Sequence, residues 1–364
     1  MILIITVVMN TVSNTISQFY QSSVWRTCNT FVFQKPTFTI DWMWASLQII
    51  CKEKKIWIVT IVWFQILWDS QLITSKEQRM LLVQSIQTQA RIYYWSISYI
   101  PLYLQRGCSH VIISYPIPFY KANPIEYQQS FYKTYEIISQ QLLSYGLTPS
   151  IKYNLPESTI VIDLGQSINN LLHECGKNTK EKIKKAEIVI SKNHLIFRKS
   201  NNQEDFESFY KTYTQTASTK WFGAITPNMW QNIIKKAITH NNIFHLYGIY
   251  DQAWYCISWA LCISNNLWLI YLYGANDRRF GNSGLSQRLH RKIIQSAQEA
   301  GFRYYDLLGA SRIWAHNDWL AHVTQFKLGF GGTKYEFVGS FDYPVSWIGR
   351  IYLYSMKIMS AFKK

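Results

Sequence analysis

Apolar and polar positions recur along this chain with two periods, and the periods mark out the elements. Runs that alternate, or that are short and continuously apolar, predict strands. They cover Ile56–Trp68, Tyr93–Tyr103, His110–Tyr115, Thr159–Leu164, Phe244–Tyr250, Trp254–Ile263, Trp268–Tyr273 and Tyr304–Leu308. These runs are rich in Ile, Val, Tyr and Trp, which suit a pleated, half-buried surface. Helical spacing covers Phe38–Leu47, Thr74–Gln89, Tyr127–Tyr145, Gln166–Ala186, Phe206–Thr216, Asn228–His240 and Leu285–Ala300. Thr39 or Asp41 would cap the first helix, and Lys52–Lys55 would break the pattern after it. Gly176 interrupts the fourth, and Gly146 and Gly301 close two others.

Strand, loop, helix and strand in that order predict an α/β (α+β) fold, with a mixed twisted sheet flanked by helices. A chain of 364 residues exceeds one ordinary core, so two domains are expected. Leu147–Pro156 holds two prolines and few apolar residues and is the best boundary. The first domain is then 1–150 and the second 151–339. The C-terminal Tyr343–Lys364 carries four basic residues and no acidic one, with apolar positions at Trp347, Ile351, Leu353, Met356 and Met359. Two readings stay open for it: an interfacial helix on an anionic membrane face, or packing of 340–364 back onto the first domain. Ile56–Trp68 falls short of the about 20 apolar residues that a span needs, so no membrane span is expected. Met1–Met9 lacks a basic start and a small-residue cleavage site, which makes it a poor signal peptide.

Composition narrows the partners. Hydrophobic residues make up 48% and charged residues 16%, so the chain should fold. The net charge of +16 favours phosphate-rich partners: nucleic acid, nucleotide-diphosphate substrates or an anionic membrane. Lys177–Lys185 sets five lysines against one glutamate, either to track phosphates or simply to stay solvated. Six scattered cysteines form no C-x-x-C pair, which points to reduced thiols in a cytosolic protein. There is no G-x-S-x-G elbow, Walker loop or H-E-x-x-H. His316 and His322, six apart with Asp318 between them, are badly spaced for a metal. Asp306 reads as a turn anchor.

Two motifs carry candidate chemistry. Tyr271-Leu-Tyr273-Gly-Ala275 precedes Arg278-Arg279-Phe-Gly281-Asn-Ser-Gly284 and then a helix. On a regular strand Tyr271 and Tyr273 share one face, where two phenols could bond a phosphate or sugar. Helix N-terminal N–H groups attract anions. Gln325-Phe326-Lys327-Leu-Gly329-Phe330-Gly331-Gly332 offers close backbone approach to a ligand and one lysine for a phosphate or an oxyanion. An aromatic strand with a glycine turn, and a β-turn with an exposed lysine, are the plainer alternatives.

In order, Thr159–Leu164, Lys177–Ala186, Tyr271–Ala275, Gly301–Gly309 (GFRYYDLLG), Phe326–Gly332 and Phe341–Pro344 resemble the FemABX peptidyltransferases. Phe38–Leu47 resembles the tryptophan-bearing first helix of that family. The resemblance implies two GNAT-like domains, of which the second carries the transfer site. With no sustained heptads, the coiled-coil arm of some members is absent. It implies an aminoacyltransferase that moves an amino acid from aminoacyl-tRNA to the peptide of a peptidoglycan precursor, either lipid II or UDP-MurNAc-peptide, to form an interpeptide bridge. Lys327 matches the family's catalytic lysine. Tyr271, Tyr273 and Phe326 match substrate-binding positions. Thr226 and Trp230 stand where the family often has an arginine and a tyrosine, and count with the substrate-binding positions. Tyr115 before Pro116 and Gln48 replace an acidic residue and a lysine.

An aminoacyl ester is already activated, so no cofactor beyond the tRNA co-substrate is expected. The protein should be cytoplasmic, a monomer or weak dimer, with the inner membrane face as a further contact. Two rivals remain. One is an acyl-CoA-dependent GNAT N-acyltransferase, using the Arg278–Gly284 loop as a pyrophosphate cradle. The other is a non-enzymatic RNA- or membrane-binding protein.

Overall fold

The structure is a computed structural model. It describes residues 37–42, 45–56, 59–67, 108–117, 136, 140, 143–144, 148–149, 158–200, 202–220, 224–239, 243–264, 267–311, 320–344 and 347–361. In chain order the strands β1 (Thr37–Trp42), β2 (Ala45–Ile56), β3 (Val59–Leu67), β4 (Cys108–Ile117) and β5 (Thr148–Pro149) come first. Then follow β6 (Ser158–Asp163), α1 (Ile168–Glu174), α2 (Lys177–Asn193), β7 (Ile196–Ser200), α3 (Gln203–Lys220) and α4 (Pro227–Thr239). Next are β8 (Phe244–Tyr250), β9 (Cys256–Ser264), β10 (Trp268–Asn276), α5 (Leu285–Glu299) and β11 (Tyr304–Asp306). Last come α6 (Ala321–Leu328), β12 (Thr333–Pro344) and α7 (Trp347–Ala361). Among the described residues no helix is long and apolar enough to cross a membrane.

The chain forms two compact units, Met1–Glu157 with Glu336–Lys364, and Ser158–Tyr335. In the first, β1, β2 and β3 form an antiparallel meander. β4 then pairs parallel with β3 and antiparallel with β12, so the sheet is mixed. Phe38–Leu47 is not the expected helix. Thr37 to Trp42 pair residue by residue with Ile50 to Ala45. Thr39 and Asp41, which read as caps, sit inside a strand, and Lys52–Lys55 continues β2 opposite Trp63–Thr60. The segment pairs with itself as a β1–β2 hairpin, and this ladder outweighs a weak local helical pattern. Gln48 lies within β2. The expected elements Thr74–Gln89 and Tyr93–Tyr103 lie outside the described residues. Of Tyr127–Tyr145, the four described positions are helical.

In the second unit the strand order is β6–β11–β10–β9–β8–β7. Among the described pairings of these six strands, β10 with β11 is the parallel one, and α5 links the two. The expected mixed α/β sheet is therefore present. Local sequence sets the helix ends. Ser167 accepts the Asn170 N–H to cap α1, and Asn202 accepts the Asp205 N–H at 2.8 Å to start α3. Gly176 separates α1 from α2. Thr226 accepts at the start of α4, with Pro227 in the first turn where no N–H is needed.

Helix α5 buries Leu285, Leu289, Ile293, Ile294 and Ala297. They meet Ile160, Ile162, Tyr247, Leu269 and Tyr305 of the sheet and Ala186 of α2. The i, i+4, i+8 spacing of Leu285, Leu289 and Ile293 makes one stripe. Each such fully buried side chain contributes about 1.5–3 kcal/mol. A second, aromatic layer holds α3 and α4. Trp230, 1% exposed, stacks on Phe209 at 5.1 Å and Tyr210 at 5.2 Å. Phe209 meets Trp259 of β9 edge-on.

Ile293 is 0% exposed, so Ile293→Ala should cost about 2–5 kcal/mol, read as a lower urea midpoint at unchanged slope. A midpoint equal to wild type would show that α5 does not carry this core.

Candidate functional site

The site begins with an irregularity in β10. Against β9, Tyr271 pairs with Cys262, and Tyr273 pairs with the adjacent Leu261. Leu272 is therefore the extra residue of a β-bulge, which reverses the alternation beyond it. Tyr271 shares the α5 face with Cys262. Tyr273 turns to the other face and meets Tyr213 of α3 edge-on at 5.4 Å. The two phenols do not share a face, contrary to the regular-strand expectation. Gly274, opposite Ala260, is back on Tyr271's side. A Cβ there would overlap the Tyr271 hydroxyl, so glycine lets the phenol lie along its own strand.

Tyr271 leads to a buried histidine. Its ring meets His290 of α5 edge-on at 4.7 Å. His290 Nδ1 lies 2.8 Å from the Tyr305 hydroxyl, and the rings of Phe326 and Phe330 lie 5.5 and 5.3 Å away. Burial pulls the imidazole down to about 3, and the nearby Lys327 charge acts in the same direction. His290 is therefore neutral at pH 7 and packs rather than titrates. Burial pushes the Tyr271 phenol up, so it stays protonated. Sequence reasoning passed over His290. Its one signal was a polar residue at helical spacing from the buried Ile293, Ile294 and Ala297.

Lys327 is not on an exposed turn. It sits on α6 and is 6% exposed. Its Nζ donates to the carbonyls of Leu308 and of Gly309, the latter at 2.6 Å. Leu308 has φ +52°, a strained value for a branched side chain. That turn ends β11 at Asp306, two residues before the expected end at Leu308. Asp306 holds the other side of the same residue: its carboxylate accepts the Leu308 N–H at 2.7 Å and the Thr159 hydroxyl. Asp306 is thus the turn anchor that the sequence suggested. Burial raises its carboxyl and lowers the lysine to about 8, while each charge partly offsets the shift of the other. Thr324 of α6 adds a bond from the Ser311 N–H at 2.6 Å. Helix α6 thereby clamps the 308–311 turn.

The glycines after Lys327 serve packing, not open approach to a ligand. A Cβ on Gly329 would strike Thr179, one on Gly331 would strike Glu174, and one on Gly332 would press on β6. Gly331 has φ +83°. The Gly176 N–H donates to the Gly329 carbonyl at 2.9 Å, tying this turn to the α1–α2 junction.

Phe326 is half-buried and looks into a cleft of about 200 Å³. Asn276, Asp277, Ser283, Gly284 and Lys182 form its polar wall, at the N-terminal end of α5. Tyr271, Phe326 and Lys327 therefore gather around His290. Thr226 and Trp230 do not join them. Thr226 caps α4, and Trp230 is enclosed in the aromatic layer with no exposed face for a substrate. Trp230 thus fails as a substrate-contact residue because aromatic packing consumes its whole surface. His316 and Asp318 lie outside the described residues. Tyr115 is in β4, paired with Gly339.

The sequence model of the FemAB family matches residues 248–349. No curated protein matches the sequence. Among solved structures, the crystal structure of FemX aligns with TM-score 0.65 at 14% identity, covering 92% of this chain and 96% of that one. A second is the C-terminal domain of a putative lysylphosphatidylglycerol synthetase from Agrobacterium fabrum. It aligns with TM-score 0.51 at 11% identity, over 97% of this chain and 95% of that one. A conserved protein of unknown function from Bacteroides thetaiotaomicron aligns with TM-score 0.51 at 8% identity, over 89% and 90%. At these identities the likeness concerns the fold. The resemblance to FemABX carried by Tyr271–Ala275 and Phe326–Gly332 is thus borne out, for both segments lie inside the stretch that matches the FemAB family model, on a fold similar to that of FemX.

Proposed function

We propose that the protein is an aminoacyltransferase that joins an amino acid from aminoacyl-tRNA to the peptide of a peptidoglycan precursor. The observation that carries this reading is the gathering of Tyr271, Phe326 and Lys327 around His290, inside the FemAB-matched stretch. In the reaction the acceptor amine attacks the ester carbonyl of the charged tRNA. The new N–C bond forms, the ester C–O bond breaks, and the ribose hydroxyl leaves with a proton. Alignment of the two substrates supplies several kcal/mol of the acceleration. An ammonium has three donors, and Lys327 spends two on Leu308 and Gly309. The third serves the oxyanion. The two carbonyls fix where the ammonium points, so little reorganisation is needed. The acceptor is lipid II or its UDP-linked soluble form.

A contact with the inner membrane face fits α7, which exposes Ile351, Tyr354 and Ile358 along one side with Lys357 beside them. One rival retains a specific observation. The cleft at the start of α5, with Ser283 and Gly284 in its wall, would suit a diphosphate, as in acyl-CoA-dependent transfer. A thermal shift with coenzyme A and none with UDP-linked muramyl peptide would favour that rival.

Incubation with radiolabelled aminoacyl-tRNAs and precursor should yield a labelled precursor peptide. Lys327→Met should lower that transfer by about 100-fold, comparable to removing one oxyanion donor. Near-normal turnover would remove Lys327 from the mechanism. The lysine is lowered to about 8, so its charge, and the transfer rate with it, should fall as pH rises through that value. A rate still climbing above pH 9 would contradict a charged Lys327.

A further inference from the structure

The β8–β9 turn, on the surface of the second unit, is built differently from an ordinary hairpin tip. Asp251 organises it. Its carboxylate accepts the N–H groups of Ala253 and Tyr255 at 3.0 and 2.9 Å. Its N–H donates to the Tyr255 carbonyl, and its own carbonyl accepts the Trp254 N–H. This bonding holds Trp254 at φ +60°, a left-handed value that bulky residues avoid. The strain does not serve burial, because Trp254 is 57% exposed.

One face of the indole is supported. The Arg198 guanidinium of the edge strand β7 lies 4.7 Å from the Trp254 ring and 4.4 Å from the Tyr250 ring. Arg198 is itself fixed by the buried carboxylate of Asp205, which also takes the Ser200 hydroxyl. Tyr250 also meets the indole edge-on at 6.4 Å, so the guanidinium fills the angle between the two rings. Beside it Tyr255 is 41% exposed, with Arg279 4.7 Å above its ring. Arg279 in turn donates to Asp277, a wall residue of the α5 cleft. Two exposed aromatic rings, each backed by a guanidinium, thus lead to the rim of that cleft.

A rigid indole with one open flat face is made for a planar partner. Arginines beside it, on a chain of net charge +16, select a planar partner that carries phosphates. We propose that Trp254, seconded by Tyr255, is a stacking platform for an unpaired base at a single-stranded RNA end, with Arg279 meeting its phosphates. This rests on the reading of aminoacyl-tRNA as donor, and it names the surface that would receive the donor's unpaired end. Turn rigidity matters here, because a preordered indole loses little freedom on stacking.

The test uses the full chain and two fluorescently labelled RNA hairpins, one with an unpaired 3′ tail and one blunt, titrated by anisotropy. Trp254→Ala should weaken binding of the tailed hairpin by about 10-fold, as expected for the loss of one base–aromatic stack. Blunt-hairpin binding should be unchanged, and Trp254→Phe should recover most of the loss. Equal binding of the tailed hairpin by wild type and Trp254→Ala overturns the proposal. So does an equal loss for both hairpins, which would be a fold or charge effect. Loss of coenzyme A binding with tailed-RNA binding intact would also overturn it, by assigning the platform to a small nucleotide. Failure of the transfer reading is separate. Tail-dependent binding without any aminoacyl transfer would sink the proposed function and leave this surface standing.

Discussion

The candidate site depends on one buried cation. Lys327 is sealed beneath the 308–311 turn and held by two carbonyls, with a carboxylate on the far side of the same residue. An isolated ammonium in such a place would be very costly. It persists because the turn bends Leu308 into a left-handed conformation that aims its carbonyl, together with that of Gly309, at Nζ. The hydrogen bonds of Nζ to the two carbonyls, and of the Leu308 N–H to Asp306, offset both the strain of the turn and the burial of the charge. The close packing of the Gly329–Gly332 turn against α1, α2 and β6 follows, since α6 must stay where Lys327 needs it.

The surrounding groups are kept electrically quiet. His290 is neutral, and the Tyr271 phenol keeps its proton. A site of this kind presents one cation, with the Asp306 carboxylate behind its turn, against rings and hydroxyls. That suits a reaction whose leaving group is already activated and whose demand is alignment and oxyanion stabilisation. It suits proton abstraction by His290 or Tyr271 less well, because burial holds the imidazole down to about 3 and the phenol up.

Much of this was legible in the sequence where local signals agreed with the fold. The α5 stripe, the Gly176 break and the β8–β9 hairpin are local patterns reinforced by tertiary packing. Asp306 as a turn anchor was readable from its place before Leu-Leu-Gly. Phe38–Leu47 was misread, because ladder pairing overrode a short helical pattern that could also be read as alternation. The face assignment of Tyr273 was wrong for another reason: one extra residue leaves no mark in composition. Lys327 was found by motif, but its burial was not legible, since the partners that enclose it are main-chain carbonyls and carry no sequence signature. Trp230 was misassigned because an aromatic in a core and one in a binding wall look alike until packing is known.

The bulge at Leu272 has a consequence for how this chain can vary. Upstream of it, β10 keeps step with β11; downstream, it leads into the cleft loop. The inserted residue acts as a phase adjuster between two stretches that face different neighbours. Loss of a single residue there would turn every side chain from Tyr273 onward inside out while leaving the sequence nearly intact. Relatives of this chain should therefore tolerate changes of residue identity at position 272 far more readily than changes of length, and the count of residues between Tyr271 and Gly274 is itself a conserved quantity to look for.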